Sequence, residues 1–384
     1  LQKIGAGTWV ISPAPATTPG NLLTGTTTVS DGVLKLLEVS TNLDILPDSA
    51  AVIFDAESFR YSAGGTLVYQ GAPTVGSLET VGTLTPTAGS ARVQVLPGVG
   101  GTAALTFGSL GTRGAGATLD LSVPAGGSVI FSTAPASNNG IVGGWATFNG
   151  VNWVVPGPAL SAATALSSYT PMAASGLSTT ANYLSTADFG VTGAETVNSL
   201  KLAGAQTLTL GGILTVSSGG VLFDNSTGAA TITGGTLGAS ASEVIIHTGG
   251  STAANALTVA SFISGGAGSV TKSGNGTLIV SAANTFTGSV NVNAGTLRLS
   301  GALAAIGSGQ TSTTLLNLRQ DATLDLNAAG SSVSNWTGAA NAARISIGAL
   351  VGSGSVVNTN ASPAILNLGN GGANGTFTGS INQA

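Results

Sequence analysis

Six residues between positions 38 and 60 form the densest group of ionisable side chains in the sequence. They are Glu38, Asp44, Asp48, Asp55, Glu57 and Arg60. Carboxylates beside a basic residue can cleave polysaccharides by general acid–base chemistry, so a glycan-degrading site is one interpretation. The spacing is irregular, however, and no pair of acids recurs on neighbouring segments. The pattern therefore favours solvated loop residues that keep a nearly neutral surface soluble.

The other ionisable residues lack the partners that chemistry would need. Arg319, Asp321 and Asp325 alternate with leucines, which predicts an outward-facing group on one strand, where an ion pair contributes about 0–1 kcal/mol. His247 follows three apolar residues and is expected to be structural. The sequence thus predicts no catalytic residue, no cofactor and no metal ligand, and the protein is not expected to be an enzyme.

The composition excludes several classes of protein. The 384 residues include only 10 Lys plus Arg, 14 Asp plus Glu, one His and no Cys, and the net charge is −4. Nucleic-acid binding needs clustered basic residues that displace counterions, so nucleic acid is not an expected partner. Ser, Thr, Asn, Gly and Pro interrupt every apolar run before it reaches the about 20 residues of a membrane-spanning helix. No membrane span is therefore predicted.

Short strands are the elements that the sequence predicts. In residues 207–216, Leu208 and Leu210 alternate with threonines until two glycines interrupt, and Leu214 and Val216 then resume the alternation. This period of two indicates a strand with one buried face. Glu, Lys, Gln and Arg, which favour exposed helices, are scarce, whereas Thr, Val and Ile are abundant. Sheet is therefore expected to dominate.

Two segments are similar enough to be copies of one unit. Residues 3–8 (KIGAGT) correspond to residues 272–277 (KSGNGT), with lysine, two glycines and threonine at matching positions. Further on, residues 24–36 (TGTTTVSDGVLKL) correspond to residues 287–299 (TGSVNVNAGTLRL). The first copy is longer between these two parts, and its prolines predict that the extra residues form a loop.

The segment Lys272–Leu299 resembles the autotransporter-associated β-strand repeat of bacterial surface proteins, and the segment Lys3–Leu36 supports the resemblance. It implies a parallel β-helix, secretion and display at the cell surface, and it implies no catalytic residues. The alternation independently predicts that six apolar residues of this repeat face inward. They are Leu278, Val280, Val290, Val292, Leu297 and Leu299. We therefore predict an all-β fold, a right-handed parallel β-helix (solenoid) with an irregular lateral insert.

Three regions are expected along the chain. Residues 1–134 are predicted coils of the β-helix, residues 135–190 are an irregular aromatic-containing insert, and residues 191–384 continue the same solenoid. The aromatic residues of the insert are Trp145, Trp153, Tyr169 and Tyr183. Such residues either pack as a local core or stack on glycan, and packing is the favoured interpretation.

The two ends of the sequence are complementary. The string TFTGSI at residues 376–381 is similar to TFTGSV at residues 285–290, and in the repeat family such a segment is followed by one like Lys3–Trp9. We therefore predict that the 384 residues are one period of a longer array, joined through a head-to-tail seam. The residues assigned to the seam are Leu1, Ile4, Phe377, Ile381 and Ala384.

These patterns predict a structural or adhesive protein that is extracellular or lies on a bacterial cell surface. Its expected partner is itself, as a head-to-tail homopolymer or as tandem copies, and a cell-surface glycan is a second possible partner. Two alternatives stay open: a passenger adhesin carried by a separate translocator domain, and a secreted polysaccharide-degrading β-helix enzyme. The scarcity of charged groups favours the non-catalytic roles.

Overall fold

The computed structural model describes the chain as a succession of short strands. The described residues are 1–12, 25–39, 44–56, 64–240, 243–249, 255–264, 268–282, 284, 286–300, 314–327, 331–333, 342–369 and 372–383. Within these ranges no α-helix occurs. The same ranges contain no helix with the length and apolarity needed to cross a membrane. The chain divides into two compact units, Leu1–Ser167 and Ser168–Ala384.

The described part of the first unit contains three sheets. Their strand orders are β1-β3-β5-β8, β15-β12-β10-β7 and β16-β14-β13-β11-β9-β6-β4-β2. The bounds are β1 Gln2–Lys3, β2 Thr8–Ile11, β3 Thr27–Val29, β4 Asp31–Leu37, β5 Val52–Asp55, β6 Gly64–Gln70, β7 Gly76–Val81, β8 Leu84–Ala88, β9 Ser90–Leu96, β10 Thr102–Phe107, β11 Thr118–Ser122, β12 Gly127–Phe131, β13 Ala146–Phe148, β14 Asn152–Val155, β15 Ser161–Ala162 and β16 Thr164–Ala165. One apolar core fills the space between the sheets and includes Leu34, Leu67 and Val93.

The second unit also has three sheets within its described residues. The bounds of its strands are β17 Thr170–Pro171, β18 Asn182–Ser185, β19 Phe189–Val191, β20 Glu195–Val197, β21 Ser199–Ala203, β22 Gln206–Val216, β23 Gly220–Asp224, β24 Ala230–Ala239, β25 Glu243–Thr248, β26 Leu257–Val259, β27 Phe262–Ser264, β28 Ser269–Ser273, β29 Thr277–Val280, β30 Val290–Val292, β31 Gly295–Leu299, β32 Leu315–Leu318, β33 Ala322–Asp325, β34 Ser331–Val333, β35 Ala342–Ser346, β36 Ala349–Gly352, β37 Ser355–Asn358, β38 Ala364–Asn367 and β39 Ser380–Gln383. A nine-stranded sheet has the order β17-β18-β21-β23-β25-β28-β30-β32-β36. An eleven-stranded sheet runs β19-β22-β24-β26-β29-β31-β33-β37-β39, with β20 and β27 beside it, and the third sheet is β34-β35-β38.

Successive coils of the second unit pair in parallel and in register. Leu257 pairs with Leu278, and Leu278 pairs with Leu297, so leucines stack through three coils. Strands this short are stabilised mainly by such stacking, because a pair of strands of this length is only marginally stable by itself in water. The six residues predicted to face inward between positions 278 and 299 are 5% exposed or less, which confirms that prediction. The pairing is consistent with a parallel β-helix, and a right-handed coil stays the expectation for parallel crossovers.

A polar ladder follows the other face of the nine-stranded sheet. Thr271, Asn291 and Asn317 occupy paired positions on β28, β30 and β32. The Asn317 Nδ2 donates to Asn291 Oδ1 at 2.7 Å, the Asn291 Nδ2 donates to Thr271 Oγ1 at 3.2 Å, and the Thr271 hydroxyl donates to the Glu243 carboxylate. All four side chains are buried, so pairing from coil to coil satisfies polar groups that water does not reach.

Residues of the predicted insert introduce antiparallel pairing into the first unit. Strand β14 runs antiparallel to β13 and β16, and β15 runs antiparallel to β12. Trp153 is fully buried, and the Arg113 guanidinium lies 5.9 Å from the centroid of the Trp145 ring. In the second unit, Tyr183 is 4% exposed. Aromatic residues of this region thus contribute to packing, whereas the boundaries at 135 and 190 stay a prediction.

The similar strings TFTGSV and TFTGSI end in different sheets, although Phe377 of the second string still bridges to Gly352 of β36 in the nine-stranded sheet. Val290 belongs to β30 of the nine-stranded sheet, whereas Ile381 belongs to β39 of the eleven-stranded sheet and pairs with Val356. The last residues of the two similar strings therefore occupy different positions in their coils. Just before β39, Gly379 lies too close to the Gly354 carbonyl for a β-carbon to fit.

Candidate functional site

The acidic region does not assemble into a catalytic pair. Asp44 and Asp48 are exposed as expected, but Glu38 is only 1% exposed. The expectation of a solvated Glu38 is wrong because Glu38 continues the alternation of Leu34 and Leu36, which places its side chain on the buried face, while its backbone N–H extends the ladder by donating to the Gln70 carbonyl. Glu57 and Arg60 lie outside the described residues. In the part of the chain that the structure describes, no group of three His, Asp or Glu residues could hold a metal ion.

The predicted surface group at residues 319–325 is wrong for two of its three charges. Arg319 is 2% exposed and Asp325 is 1% exposed, while Asp321 lies at the surface. The expectation assumed one strand, but the chain turns at residues 320–321, so β32 and β33 belong to different sheets. His247, expected to be structural, is 3% exposed on β25.

Asp325 joins three coils through its carboxylate. It accepts hydrogen bonds from Arg298 Nε at 2.7 Å, from the Thr359 hydroxyl at 2.7 Å and N–H at 3.1 Å, and from the Asn327 N–H at 3.0 Å. Burial alone would raise the pKa of Asp325, but the hydrogen bonds from Thr359, Arg298 and Asn327 outweigh burial and lower the pKa. The ionised side chain therefore links three coils of the second unit.

Asp325→Asn is expected to destabilise the second unit by about 2 kcal/mol at neutral pH, because an amide cannot accept all of these hydrogen bonds. Since folding lowers the pKa of Asp325, its contribution is present above the unfolded pKa of about 4 and is lost as the pH falls through the folded pKa. Urea unfolding curves at neutral and acidic pH measure both effects. The exposed Asp321→Asn is the matched control, and an equal loss there would contradict the assignment.

A buried lysine begins each copy of the repeated motif. In the second unit, Lys272 lies on β28 with no exposed surface. Its Nζ donates to the backbone carbonyls of Ser273 and Gly274 and, at 2.8 Å, to that of Ala294 in the following coil. Burial lowers the pKa of Lys272 to about 7. The side chain thus fastens two coils together through their backbones.

The first unit repeats this arrangement at Lys3, which is 4% exposed. Its Nζ donates to the carbonyls of Ile4 and Gly5 and, at 3.0 Å, to that of Asp31 in the following coil. Burial lowers the pKa of Lys3, and the charge of Asp31 opposes the shift. In both copies the distant carbonyl belongs to the residue that precedes a glycine.

That glycine closes over the turn that follows the lysine. Gly295 has a φ of 67° and Gly32 a φ of 62°. A β-carbon on Gly295 would lie 2.5–2.6 Å from carbonyl oxygens of the turn 274–276, and one on Gly32 would lie 2.5 Å from carbonyl oxygens of the turn 5–7. Both the left-handed backbone and the close approach exclude a side chain here. Lysine, turn and closing glycine therefore form one inter-coil unit, present twice.

Residues 1–36 and 270–299 match one protein-family model, and these ranges contain the two lysine units. Both match the passenger-associated-transport-repeat. The match confirms the resemblance drawn from the sequence. No curated protein and no solved structure matches the chain.

The passenger-associated-transport-repeat indicates a passenger-type surface protein, which is secreted or held at the cell surface. It is a repeat of passengers and not a catalytic family. In this chain the parts that the two copies share have a physical explanation, because the lysine, the turn and the closing glycine each contact the neighbouring coil. The repeat is thus a device for joining coils.

The sequence patterns aligned the two lysines but did not predict several buried charges, among them Lys272 and Glu79. The signal was present in both cases. Lys272 stands two residues after Val270, and Glu79 stands two residues before Val81, so each charge has the parity of a core residue. Glu79 is 2% exposed on β7, paired with the core residue Leu105.

Proposed function

We propose that the protein is an extracellular structural component of a bacterial cell surface, whose β-helical coils stack end to end on those of a second copy. The proposal depends on one difference between the two passenger-associated repeats of the chain. The repeat turn of the second unit is covered by the preceding coil, whereas the repeat turn of the first unit presents an open surface to a coil of the same kind.

In the second unit the turn 272–277 receives the backbone of the preceding coil. The Gly276 N–H donates to the Thr248 carbonyl at 3.1 Å, and a β-carbon on Gly276 would lie 3.0 Å from the Gly249 oxygen. Leu278, just beyond the turn, is 1% exposed. A covering coil therefore contacts both the turn and the strand that follows it.

In the first unit the same positions are open. A β-carbon on Gly5 or Gly7 would have no atom of the described residues within 4 Å. Trp9, which corresponds to Leu278, is 52% exposed. A groove of about 250 Å³ lies along Gln2–Trp9. The surface that a preceding coil would cover is thus formed, and it presents the exposed apolar side chains of Ile4 and Trp9.

Strand β39 offers a complementary edge. Ile381 pairs with the fully buried Val356 and so has the parity of a core residue, yet it is 59% exposed. Gly379 packs on Gly354 as the closing glycine of the repeat packs on its turn, so β39 completes a coil. A strand such as β1, which begins a coil, is the element that would follow in a continuing stack.

The parity of the edge strands defines a proposed register for the seam. Trp9 pairs with the core residue Leu34, so Trp9 and Ile381 both face the cores of their own units. Parallel stacking of β39 on β2 of the next copy places Ile381 opposite Trp9. Burial of such side chains contributes about 2 kcal/mol each. The other residues predicted at the seam are Leu1, Ile4 and Phe377, with Ala384 outside the described residues.

Cysteine pairs test the register, because the chain contains no cysteine of its own. When the Trp9→Cys and Ile381→Cys variants are mixed and oxidised, we expect a cross-linked dimer, since directly paired strands bring Cα atoms to a distance that a disulfide spans. Val10→Cys mixed with Ile381→Cys is expected to cross-link poorly, because the two side chains point to opposite faces. Non-reducing electrophoresis measures the yields.

Electron microscopy provides the independent readout. The protein at high concentration is expected to form end-to-end filaments, and Ile381→Asp is expected to abolish them. Val99→Asp, at a site that is 86% exposed and far from both edges in sequence, is the matched control. Dispersed particles of the unmodified protein, or equal cross-linking of both cysteine pairs, would overturn the proposal.

A cell-surface glycan is a second proposed partner. Thr207, Thr231 and Thr258 stand in register on three neighbouring strands of the eleven-stranded sheet, and all three are partly exposed. Aligned hydroxyl groups of this kind can exchange hydrogen bonds with sugar hydroxyls. This role is compatible with a stacked surface protein and would act through its sides.

A further inference from the structure

Residues 44–50, which form no strand, cover one edge of the four-stranded sheet β15-β12-β10-β7 in the first unit. Strand β7 is the edge strand, and residues 44–50 lie against it. The Gly82 N–H, just after β7, donates to the Ala50 carbonyl at 2.8 Å. Within the segment, Ile45 and Leu46 are 3% and 0% exposed. The segment therefore shields both an open sheet edge and part of the core.

The side chain of Glu79 holds this segment by its backbone. Glu79 points inward from β7, and its two carboxylate oxygens accept the N–H groups of two consecutive residues. Oε2 accepts from Ile45 at 3.1 Å, and Oε1 accepts from Leu46 at 2.7 Å. The carboxyl group of Glu79 thus accepts two backbone N–H groups of the segment, which would bond to a neighbouring strand if the segment belonged to a sheet.

The groups that face Glu79 make its negative charge costly. They are Glu38 after β4, Tyr69 on β6 and Asp44 in the segment itself, while the residue paired with Glu79 on β10 is the apolar Leu105. The pKa of Glu79 is raised to about 8 in total. Burial is the largest cause and raises the pKa, the Leu46 and Ile45 N–H groups lower it, and the charges of Asp44 and Glu38 raise it. Tyr69 also has a raised pKa, caused by burial and by Glu38 and Glu79.

We propose that Glu79 is a pH-responsive latch, which holds residues 44–50 over the edge of β7 in acidic surroundings and holds them progressively less firmly as the pH rises to slightly alkaline values. Because folding raises the pKa of Glu79, its stabilising contribution is complete below the unfolded pKa of about 4.5, declines as the pH rises from there and is lost once the pH has passed about 8. Release would expose Leu46 and the edge of β7. An exposed edge pairs readily with another strand, so the latch would make self-association dependent on pH.

Hydrogen exchange read by mass spectrometry tests the latch in the intact protein. After correction for the intrinsic rate, protection of the Ile45 and Leu46 amides is expected to fall by up to about tenfold per pH unit between about pH 5 and about pH 8, and to level off at higher pH. In Glu79→Gln, which has no charge to bury, protection is expected to be weaker and independent of pH. Persistence of the pH step in Glu79→Gln, or its absence in the unmodified protein, would overturn the proposal.

The chain contains a matched control for this measurement. Glu195 also accepts two consecutive backbone N–H groups, those of Gly176 and Leu177, but it is partly exposed and water can solvate its charge. Protection at Gly176 and Leu177 is expected to show no step over the same pH range. An equal fall in the protection of Gly176 and Leu177 would show that the whole protein opens more often as the pH rises, and it would refute a specific latch.

Discussion

Replacing Gly295 with alanine is expected to lower the stability of the second unit by about 3 kcal/mol. Two costs add at this position. The φ of 67° is strained for any residue with a β-carbon, and the β-carbon would lie 2.5 Å from the Gly276 oxygen, 2.6 Å from the Gly274 oxygen and 2.8 Å from the Asn275 carbonyl carbon. All three are backbone atoms, so the collision is relieved only if one coil moves away from the next.

Urea unfolding followed by circular dichroism measures the effect of Gly295→Ala, and the chain supplies comparisons in both directions. Gly32→Ala should destabilise the first unit similarly, because it has the same φ and the same close carbonyls. Gly7→Ala should be nearly neutral in dispersed protein, because its β-carbon would meet open space. If Gly295→Ala unfolds at the same urea concentration as the unmodified protein, the closing role of this glycine is wrong.

Lys272→Met is expected to remove a pH dependence from the stability of the second unit. Burial lowers the pKa of Lys272 to about 7, whereas a lysine in the unfolded chain titrates near 10.5. Between these two values the unfolded chain binds more protons, so the unmodified protein gains stability as the pH rises, by about 1.4 kcal/mol per unit. Methionine has no proton to lose, and the difference between the two proteins should therefore change with pH across this window.

At the alkaline end of the window, Lys272→Met should also be less stable than the unmodified protein by about 2 kcal/mol, because the neutral amine still donates up to two hydrogen bonds to the three carbonyl groups around it and methionine donates none. Unfolding free energies measured from about pH 6.5 to about pH 10 report both terms. Lys35→Met, on the partly exposed face of β4, is the matched control and should leave the pH profile unchanged. A constant difference between Lys272→Met and the unmodified protein would show that Lys272 stays charged throughout.

Lys272 and Gly295 together explain how the passenger-associated repeat joins neighbouring coils. Lys272 reaches forward from one coil to the carbonyl before Gly295, and Gly295 lies back over the turn that follows Lys272. Each residue is therefore useful only when the neighbouring coil is present. The same dependence makes the open turn at Gly5 and Gly7 a natural place for a further coil, whether that coil belongs to a second copy or to a tandem repeat.

Local pattern predicted the strands and the faces they bury. Leu278, Val280, Leu297 and Leu299 could be assigned to the core from the sequence, because alternation along a strand has a period of two residues and needs no knowledge of distant contacts. The two repeat copies and their corner glycines were visible for the same reason. Gly295 stands at the corner between β30 and β31, and its identity alone indicates an unusual backbone.

Tertiary structure decided what covers each strand. Glu79 could be placed on an inward face by parity, but only the fold brings the N–H groups of Ile45 and Leu46, more than 30 residues earlier in the chain, to its carboxylate. Asp325 was expected at the surface and is buried because Thr359 of the next coil folds over it. Contacts of this kind join residues one coil apart, and the length of each coil varies with its loops. The spacing is therefore not periodic in the sequence, and the partners become visible only when the coils are stacked.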